Sequence, residues 1–264
     1  MGKTTVSAFA KRRVAGEKLV MITAGSATEA AAAYAAGIDL ILVGDSLGMT
    51  MLGYDSTLPV TMEMMLHHAA AVRRGAPDAF VIFDMPFMSY QTGVGEALRN
   101  AGRALQEAGA DAVKLEGGAD PELIRQLVAS GIPVLGHLGL LPQRIQTIGA
   151  YRIVGRDEEA AEALLAEARE VEEAGAFAVV LECLPAELGR RVTEELHIPT
   201  VGIGSGPYCS GQVQVLYDSL GLSERTPKHA RRYAELGSAM RDALARYAEE
   251  VRSGAFPDEE HSFK

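Results

Sequence analysis

The same short pattern recurs four times along the chain: a helical segment, then a glycine, then an apolar run typical of a buried strand. The four copies read AAGIDLILV, EAGADAVKL, ASGIPVLGH and EAGAFAVVL. Their glycines, Gly37, Gly109, Gly131 and Gly175, stand where the C-terminal caps of helices belong. A chain that alternates helices and strands in this way favours a parallel sheet covered by helices.

The strand candidates are continuous Val- and Ile-rich runs, as expected for strands that are buried on both faces. Seven are clear and an eighth, near 213–216, is weaker. We therefore predict an α/β fold, a closed (β/α)8 TIM-type barrel that forms a single domain over residues 1–264. A short helix precedes it, and a C-terminal helix at about 227–253 and a tail follow. The seven clear strands are 19–23, 39–43, 80–83, 112–115, 132–135, 177–181 and 200–203.

Charge and cysteine content restrict the partners of this chain. The net charge is −10, which argues against nucleic acid or an anionic membrane surface as a partner. No apolar run approaches the roughly 18 residues of a membrane span. Two cysteines, Cys183 and Cys209, are too few for a disulfide framework. We expect a cytoplasmic protein with reduced thiols and small-molecule partners.

Polar residues recur where the predicted strands end. Five of them, Asp45, Asp84, Glu116, His137 and Glu182, follow or close separate apolar runs. In a barrel the carboxyl ends of all strands open onto one face, and that face carries the active site. The barrel prediction therefore gathers these five side chains around one mouth.

Three of these residues are carboxylates, which suits a hard cation such as Mg²⁺. Without a cation, Asp45, Asp84 and Glu116 would repel one another strongly in one cleft. The alternative is that some of them only cap the helices that follow.

Lys114 and His137 have two interpretations each. Lys114 lies two residues before Glu116, so both point to the same side of an extended strand. It could bind a substrate carboxylate or form a structural ion pair with Glu116 or Asp84. His137 could orient or protonate the substrate, or be a hydrogen-bonded structural residue. Cys183 should point away from the mouth, as buried filler.

Beyond these patterns, the chain resembles the ketopantoate hydroxymethyltransferase family, which is related to barrels of the phosphoenolpyruvate mutase and isocitrate lyase type. The match extends over nearly the whole chain, and the order of its segments is highly specific. The matching segments are VGDSLGM at 43–49, DSTLPVT at 55–61, VRRGAP at 72–77, DMPFMSY at 84–90, VKLEGG at 113–118, GHLGLLPQ at 136–143, LECLPAEL at 181–188, GIGSG at 202–206 and EHSF at 260–263.

This resemblance implies transfer of a hydroxymethyl group from 5,10-methylenetetrahydrofolate to 3-methyl-2-oxobutanoate, giving 2-dehydropantoate in pantothenate and coenzyme A biosynthesis. It implies an enolate stabilised by Mg²⁺ or another divalent cation, and a homo-oligomer such as a decamer. Carried over residue by residue, it makes Asp45, Asp84 and Glu116 the metal environment. Asp45, Ser46, Asp84 and Lys114 become substrate contacts, and Glu182 becomes the proton acceptor. His137 is a second catalytic candidate from its strand-end position.

The chain also departs from the family pattern. Where the family usually has Tyr-Asp after Thr-Ala, this chain has Gly25-Ser26, and Ser210 replaces an acid before Gly-Gln. Ser26 and Glu29 read as a helix capping box. The missing aromatic ring predicts room for 2-oxo acids bulkier than 3-methyl-2-oxobutanoate, unless a neighbouring group fills the gap.

Two other functions remain open on the sequence alone. One is a divergent or engineered metal-dependent 2-oxo-acid aldolase that uses free formaldehyde. The other is a catalytically silent assembly protein, against which the intact set of charged strand-end residues argues.

Overall fold

Eight parallel strands close into a barrel in the computed structural model, which describes residues 4–117 and 120–263. Each strand pairs with the next along the chain, and β8 pairs with β1. The predicted TIM-type barrel is therefore confirmed. Gly118, the last residue of the VKLEGG segment, lies outside the described residues. The strands are β1 Leu19–Thr23, β2 Leu40–Val43, β3 Phe80–Asp84, β4 Ala112–Glu116, β5 Val134–Gly139, β6 Ala178–Glu182, β7 Thr200–Ile203 and β8 Gly211–Gln214.

Helices separate most of the strands. The predicted glycine caps are confirmed, since Gly37, Gly109, Gly131 and Gly175 all have positive φ, between 68° and 96°. A single 3₁₀ turn, Pro142–Arg144, follows β5. The α-helices are α1 Val6–Val14, α2 Ala27–Ala35, α3 Leu47–Thr50, α4 Met62–Gly75, α5 Val94–Gln106, α6 Pro121–Ala129, α7 Ile145–Ile148, α8 Glu158–Glu173, α9 Ala186–Glu195, α10 Leu216–Ser219 and α11 Leu236–Ser253.

The weakest strand prediction was displaced by two residues. The eighth strand begins at Gly211, which pairs with Leu19 of β1. A Cβ atom at position 211 would lie 2.4 Å from the Leu19 carbonyl oxygen, so only glycine allows the two backbones to approach this closely. A glycine that normally weakens a strand is here a condition for closing the barrel.

The predicted start of the final helix, at residue 227, was wrong. The helix begins at Leu236. Before it, the Arg232 guanidinium donates hydrogen bonds to the carbonyl oxygens of Ser223 and Glu224 and to the Thr226 hydroxyl. These bonds hold the segment as a folded loop.

Alternation along the strands divides the core into two layers. Leu40 and Leu42 of β2 belong to a cluster inside the barrel, whereas Ile41 and Val43 belong to the larger cluster between the strands and the helices. Phe9 of α1 is fully buried within the interior cluster, and its ring packs edge-on against Phe80 at 4.9 Å between centroids. Helix α1 thus fills the amino-terminal end of the barrel, where β3 begins.

The chain divides into two compact units, Met1–Val215 and Leu216–Lys264, and all eight strands lie in the first. The prediction of a single domain stays a prediction. In the ranges 4–117 and 120–263, no helix has both the length and the hydropathy needed to cross a membrane.

Candidate active site

The inward-facing positions of several strands change from apolar to charged toward the carboxyl end. In β4, Ala112 belongs to the interior core, and Lys114 and Glu116 follow at intervals of two. Strand register places Asp84 beside Lys114 and Glu116 beside His137. The predicted strand-end residues therefore meet at one mouth because the strands are parallel and alternate.

Lys114 lies among the carboxylates of this mouth. Its Nζ is 2.6 Å from Asp84 Oδ1 and 3.6 Å from Glu116 Oε1. The Asp45 backbone N–H donates to Asp84 Oδ2 at 3.2 Å. All four side chains are buried. The ion pair that the sequence offered as an alternative for Lys114 is thus present in the structure.

Burial and mutual repulsion shift the titration of this cluster. The pKa of Asp45 is raised well above its usual value by burial and by the charges of Asp84 and Glu116, and burial also raises the pKa of Asp84. Burial acts to raise the pKa of Glu116 too, but Lys114 and His137 outweigh it and lower that pKa to about 2. Burial disfavours the Lys114 ammonium, but the surrounding carboxylates outweigh it and raise its pKa.

His137 lies between two acids. Its Nε2 is 3.1 Å from Glu182 Oε2, and its Nδ1 is 3.5 Å from Glu116 Oε1. Neither contact has the direction of a hydrogen bond, so within the described residues both buried ring nitrogens lack a hydrogen-bond partner. Burial and Lys114 act to lower the pKa of His137, yet the two carboxylates outweigh them and raise it to about 9.

Glu182 closes β6 and is the least buried of these acids, with 16% of its side chain exposed. The next residue, Cys183, was expected to be buried filler, but it is only partly buried and has φ of 53°. That left-handed backbone turns the chain immediately after Glu182. Few non-glycine residues adopt this conformation without strain. Burial raises the pKa of the Cys183 thiol to about 11, with the charge of Glu182 adding to the effect.

Ser46 caps the short helix α3 without a side-chain hydrogen bond to it. Its Oγ lies 3.1 Å from where a Cβ atom on Gly44 would stand, and Asp84 Oδ2 lies 3.8 Å from the same point. The predicted substrate contact Ser46 therefore stands close to the carboxylate cluster.

The loop that departs from the family pattern is filled by neighbouring side chains. A Cβ atom on Gly25 would lie 2.5 Å from Met51 Sδ and 3.5 Å from His68 Nδ1. The predicted capping box is present in part: Ser26 Oγ accepts from the Glu29 N–H, whereas Glu29 Oε2 accepts from the N–H of Gly25, one residue before the N-cap. The space next to Gly25 is thus occupied by Met51.

The second departure, Ser210, is buried beside Thr200 of β7. Its N–H donates to Thr200 Oγ1 at 3.2 Å, and its Oγ accepts from the Thr200 N–H at 3.3 Å. These hydrogen bonds join the segment just before β8 to the start of β7.

The donor set fits a hard divalent cation in charge and chemistry. Asp45, Asp84 and Glu116 supply buried carboxylate oxygens, which such cations prefer. Over 4–117 and 120–263, no three His, Cys, Asp or Glu side chains are already gathered to hold a metal ion. Lys114 bonds to Asp84, and the Gln143 amide bonds to Asp45.

Two residues of the site, Gln143 and Tyr90, were not singled out from the sequence. Gln143 Nε2 donates to Asp45 Oδ2 at 2.9 Å, and the Tyr90 hydroxyl donates to Gln143 Oε1 at 2.9 Å. Both lie inside segments already matched to the family, but only the fold brings them together. A polar residue beside Pro142, just after a strand that ends in the mouth, was the available signal.

Known proteins similar to this chain are numerous. The family model for ketopantoate hydroxymethyltransferase matches residues 3–259. The 3-methyl-2-oxobutanoate hydroxymethyltransferase of Syntrophus aciditrophicus is 53% identical over 99% of this chain and 97% of its own length. The enzyme of the same name from Pyrobaculum islandicum is 54% identical over 99% of both chains.

Solved structures with low sequence identity have the same fold. A 2,3-dimethylmalate lyase of the PEP mutase/isocitrate lyase superfamily aligns with a TM-score of 0.60 at 17% identity, over 97% of this chain and 91% of its own. A phosphonopyruvate hydrolase solved with oxalate and Mg²⁺ gives 0.63 at 14% identity, over 99% and 93%. The barrel with its strand-end acids, the family model and relatives of this identity lead to one conclusion: the chain belongs to the ketopantoate hydroxymethyltransferase family.

Proposed function

We propose that this protein transfers a hydroxymethyl group from 5,10-methylenetetrahydrofolate to 3-methyl-2-oxobutanoate, giving 2-dehydropantoate for pantothenate and coenzyme A biosynthesis in the cytoplasm. The observation that carries the proposal is the gathering of Lys114, His137 and Glu182 with three buried carboxylates at one barrel mouth, in a member of this family. An ammonium, a carboxylate base and oxygen donors are the groups that deprotonation next to a keto acid requires.

Each polar group has a role in this reaction. The Lys114 ammonium binds the substrate carboxylate, with Ser46 Oγ as a second contact. Glu182 accepts the proton from C3, for which its partial exposure leaves access. His137, with both ring nitrogens unpartnered among the described residues, donates to a substrate oxygen. Water hydrolyses the two C–N bonds of the methylene bridge, so that tetrahydrofolate leaves and the one-carbon unit becomes an aldehyde. The enolate carbon adds to the aldehyde carbon, and the resulting alkoxide takes the proton held by Glu182.

A divalent cation, Mg²⁺ or another of similar hardness, belongs to this proposal. Asp45, Asp84 and Glu116 are the residues that would hold it. When bound, it supplies a Lewis acid that stabilises negative charge on the keto oxygen. A phosphonopyruvate hydrolase with the same barrel fold was solved with oxalate and Mg²⁺, which supports a divalent metal and a small dicarbonyl anion as ligands of this protein.

Product formation from separate one-carbon donors tests the activity. The metal-loaded protein should convert 3-methyl-2-oxobutanoate to 2-dehydropantoate with 5,10-methylenetetrahydrofolate, and chelation of the metal should stop the reaction. Efficient turnover only with free formaldehyde would support the aldolase alternative. No product with either donor at any metal concentration would overturn the proposal.

We also propose a homo-oligomer, for which helix α11 is the support. It has no buried residue, yet its apolar side chains recur every three or four positions along one face. A stripe with this spacing is what a helix presents to a partner. A decamer, expected from the family resemblance, is one such assembly. The stripe consists of Leu236, Met240, Leu244, Tyr247 and Val251, between 43% and 60% exposed.

A further inference from the structure

Gln143 is a buried residue to which the proposed chemistry gives no role. It lies in the 3₁₀ turn after β5, and its side chain and backbone N–H reach two different acids of the site. We propose that Gln143 is a positioning residue that fixes Asp45 relative to Glu116, and that Tyr90 fixes the orientation of the Gln143 amide. This inference rests on the proposed metal-dependent function.

The hydrogen bonds of Gln143 connect parts of the barrel that are not adjacent. Nε2 donates to Asp45 Oδ2 and to the Met85 carbonyl oxygen, each at 2.9 Å. The backbone N–H donates to Glu116 Oε2, also at 2.9 Å. Asp45 follows β2 and Glu116 ends β4, with β3 between them. Gln143 therefore sets the spacing of two carboxylates whose strands are not neighbours in the barrel.

The orientation of the amide is determined by its surroundings. Nε2 donates to two oxygens, and one of them, the Met85 carbonyl oxygen, can only accept. On the other side, Oε1 accepts from the Tyr90 hydroxyl at 2.9 Å and from Gln91 Nε2 at 3.4 Å. A flipped amide would set Oε1 against the Met85 carbonyl oxygen, which has no proton to donate, so the orientation with Nε2 toward Met85 is favoured.

Tyr90 is itself held by the backbone of β4. Its hydroxyl lies 3.2 Å from the Glu116 N–H, which donates to it, and it is buried. The phenol thus connects the Glu116 backbone with the Gln143 amide. A fully bonded buried network of this kind has little freedom to rearrange, and it holds the acids without contacting substrate.

The turn that carries Gln143 depends on the strand end before it. Gly139 has φ of 96°, and a Cβ atom there would lie 2.2 Å from the Glu182 carbonyl oxygen. The next N–H, of Leu140, donates to that same oxygen at 2.9 Å. Pro142 then begins the 3₁₀ turn that aims the Gln143 N–H at Glu116. The placement of Gln143 is therefore built into the backbone beside Glu182.

Gln143→Met tests the side-chain arm alone, because it keeps the length of the side chain and the backbone N–H to Glu116 but removes the amide. Mn²⁺ affinity of the purified protein, from the electron paramagnetic resonance of free Mn²⁺ without substrate, is the main readout. We expect about 10- to 100-fold weaker binding, the range found when partners of metal ligands are removed. Gln146→Met, at an exposed position of α7, is the matched control and should bind like wild type.

Tyr90→Phe provides a second, independent variant if Gln143→Met fails to fold. It should weaken Mn²⁺ binding less than Gln143→Met does, and the double variant should equal Gln143→Met, because Tyr90 acts through Gln143. Folded Gln143→Met or Tyr90→Phe protein with wild-type Mn²⁺ affinity would overturn the inference and leave the proposed function intact. Wild-type protein that binds no Mn²⁺ would contradict the proposed metal dependence, and with it this inference.

Discussion

His137 shows what a single buried ring can do in this mouth. With a pKa of about 9, raised by Glu116 and Glu182 against burial and the Lys114 charge, the ring is doubly protonated at neutral pH. Such an imidazolium can only donate hydrogen bonds. Glu116 and Glu182 face the two ring nitrogens as ion-pair partners without hydrogen-bond direction, which is consistent with the proposed donation from His137 to a substrate oxygen.

Replacing Glu182 by glutamine should separate proton removal from substrate binding. The amide keeps the shape of the side chain but cannot accept the proton, so deuterium exchange at C3 of 3-methyl-2-oxobutanoate in D₂O should fall by about 10²-fold or more. Binding of the 2-oxo acid should persist. The control is Glu187→Gln on the exposed face of α9, and wild-type exchange in Glu182→Gln would assign the proton to another group.

Met51 should limit the size of the substrate. Because its sulfur occupies the space beside Gly25, Met51→Ala should raise the kcat/KM ratio of longer 2-oxo acids over 3-methyl-2-oxobutanoate by roughly tenfold or more, as a lost side-chain volume does. The control is Met64→Ala, the same substitution at a methionine whose sulfur contacts Tyr54 instead of the Gly25 loop. An unchanged ratio would mean that the Gly25 loop does not border the substrate.

At the residue scale, the charged set was predictable and its supporting bonds were not. Asp84 and Glu116 interrupt apolar runs, so the sequence alone marks them as unusual charged residues. Gln143 and Tyr90 are polar residues in segments with no unusual pattern. Their importance arises because the fold brings two residues 53 positions apart in the sequence into one hydrogen bond. Spacing along the chain carries no signal for such a contact.

Helices α2 and α4 show how close contact is achieved between elements. A Cβ atom on Gly75 at the end of α4 would lie 2.0 Å from the Ala27 carbonyl oxygen at the start of α2. Gly102 of α5 differs, because it has open space around it. Two helical glycines therefore have opposite structural consequences.

The same substitution at these two glycines should change stability in opposite directions. Gly75→Ala should lower the free energy of unfolding by about 1–3 kcal/mol, because α2 and α4 must separate. Gly102→Ala should raise it by up to about 1 kcal/mol, since alanine favours a helix over glycine. Denaturant titration measures both, and a stabilised Gly75→Ala variant would show that the two helices can move apart at no cost.

At the element scale, local signals predicted best where they had a local cause. The capping glycines, such as Gly37 and Gly109, act within one turn of chain and were predicted correctly. The start of α11 depended on bonds from Arg232 to carbonyl groups eight and nine residues earlier, and the position of β8 on the closing contact with Leu19. The first contact follows no helical or strand periodicity, and the second joins segments far apart in the sequence.

For the whole molecule, the exposed stripe of α11 makes association the main prediction. Leu244→Glu, at the centre of the stripe, should shift the sedimenting species toward the 28.0 kDa chain, because a charge would be buried in the interface. Arg246→Glu lies on α11 outside the stripe and should leave the assembly unchanged. A wild-type protein that sediments as a monomer would contradict the proposed oligomer.

The buried ring of Phe9 has a kinetic consequence. Because α1 fills one end of the barrel, both reactants must enter, and both products must leave, through the mouth at the other end. In the proposed reaction the 2-oxo acid would take the deeper position beside Lys114, so it would bind before the folate and its product would leave after tetrahydrofolate. Product inhibition should then be ordered, with 2-dehydropantoate competing against 3-methyl-2-oxobutanoate and tetrahydrofolate giving mixed inhibition against its own precursor. A folate that binds the free enzyme productively would mean that the barrel has room for both to pass.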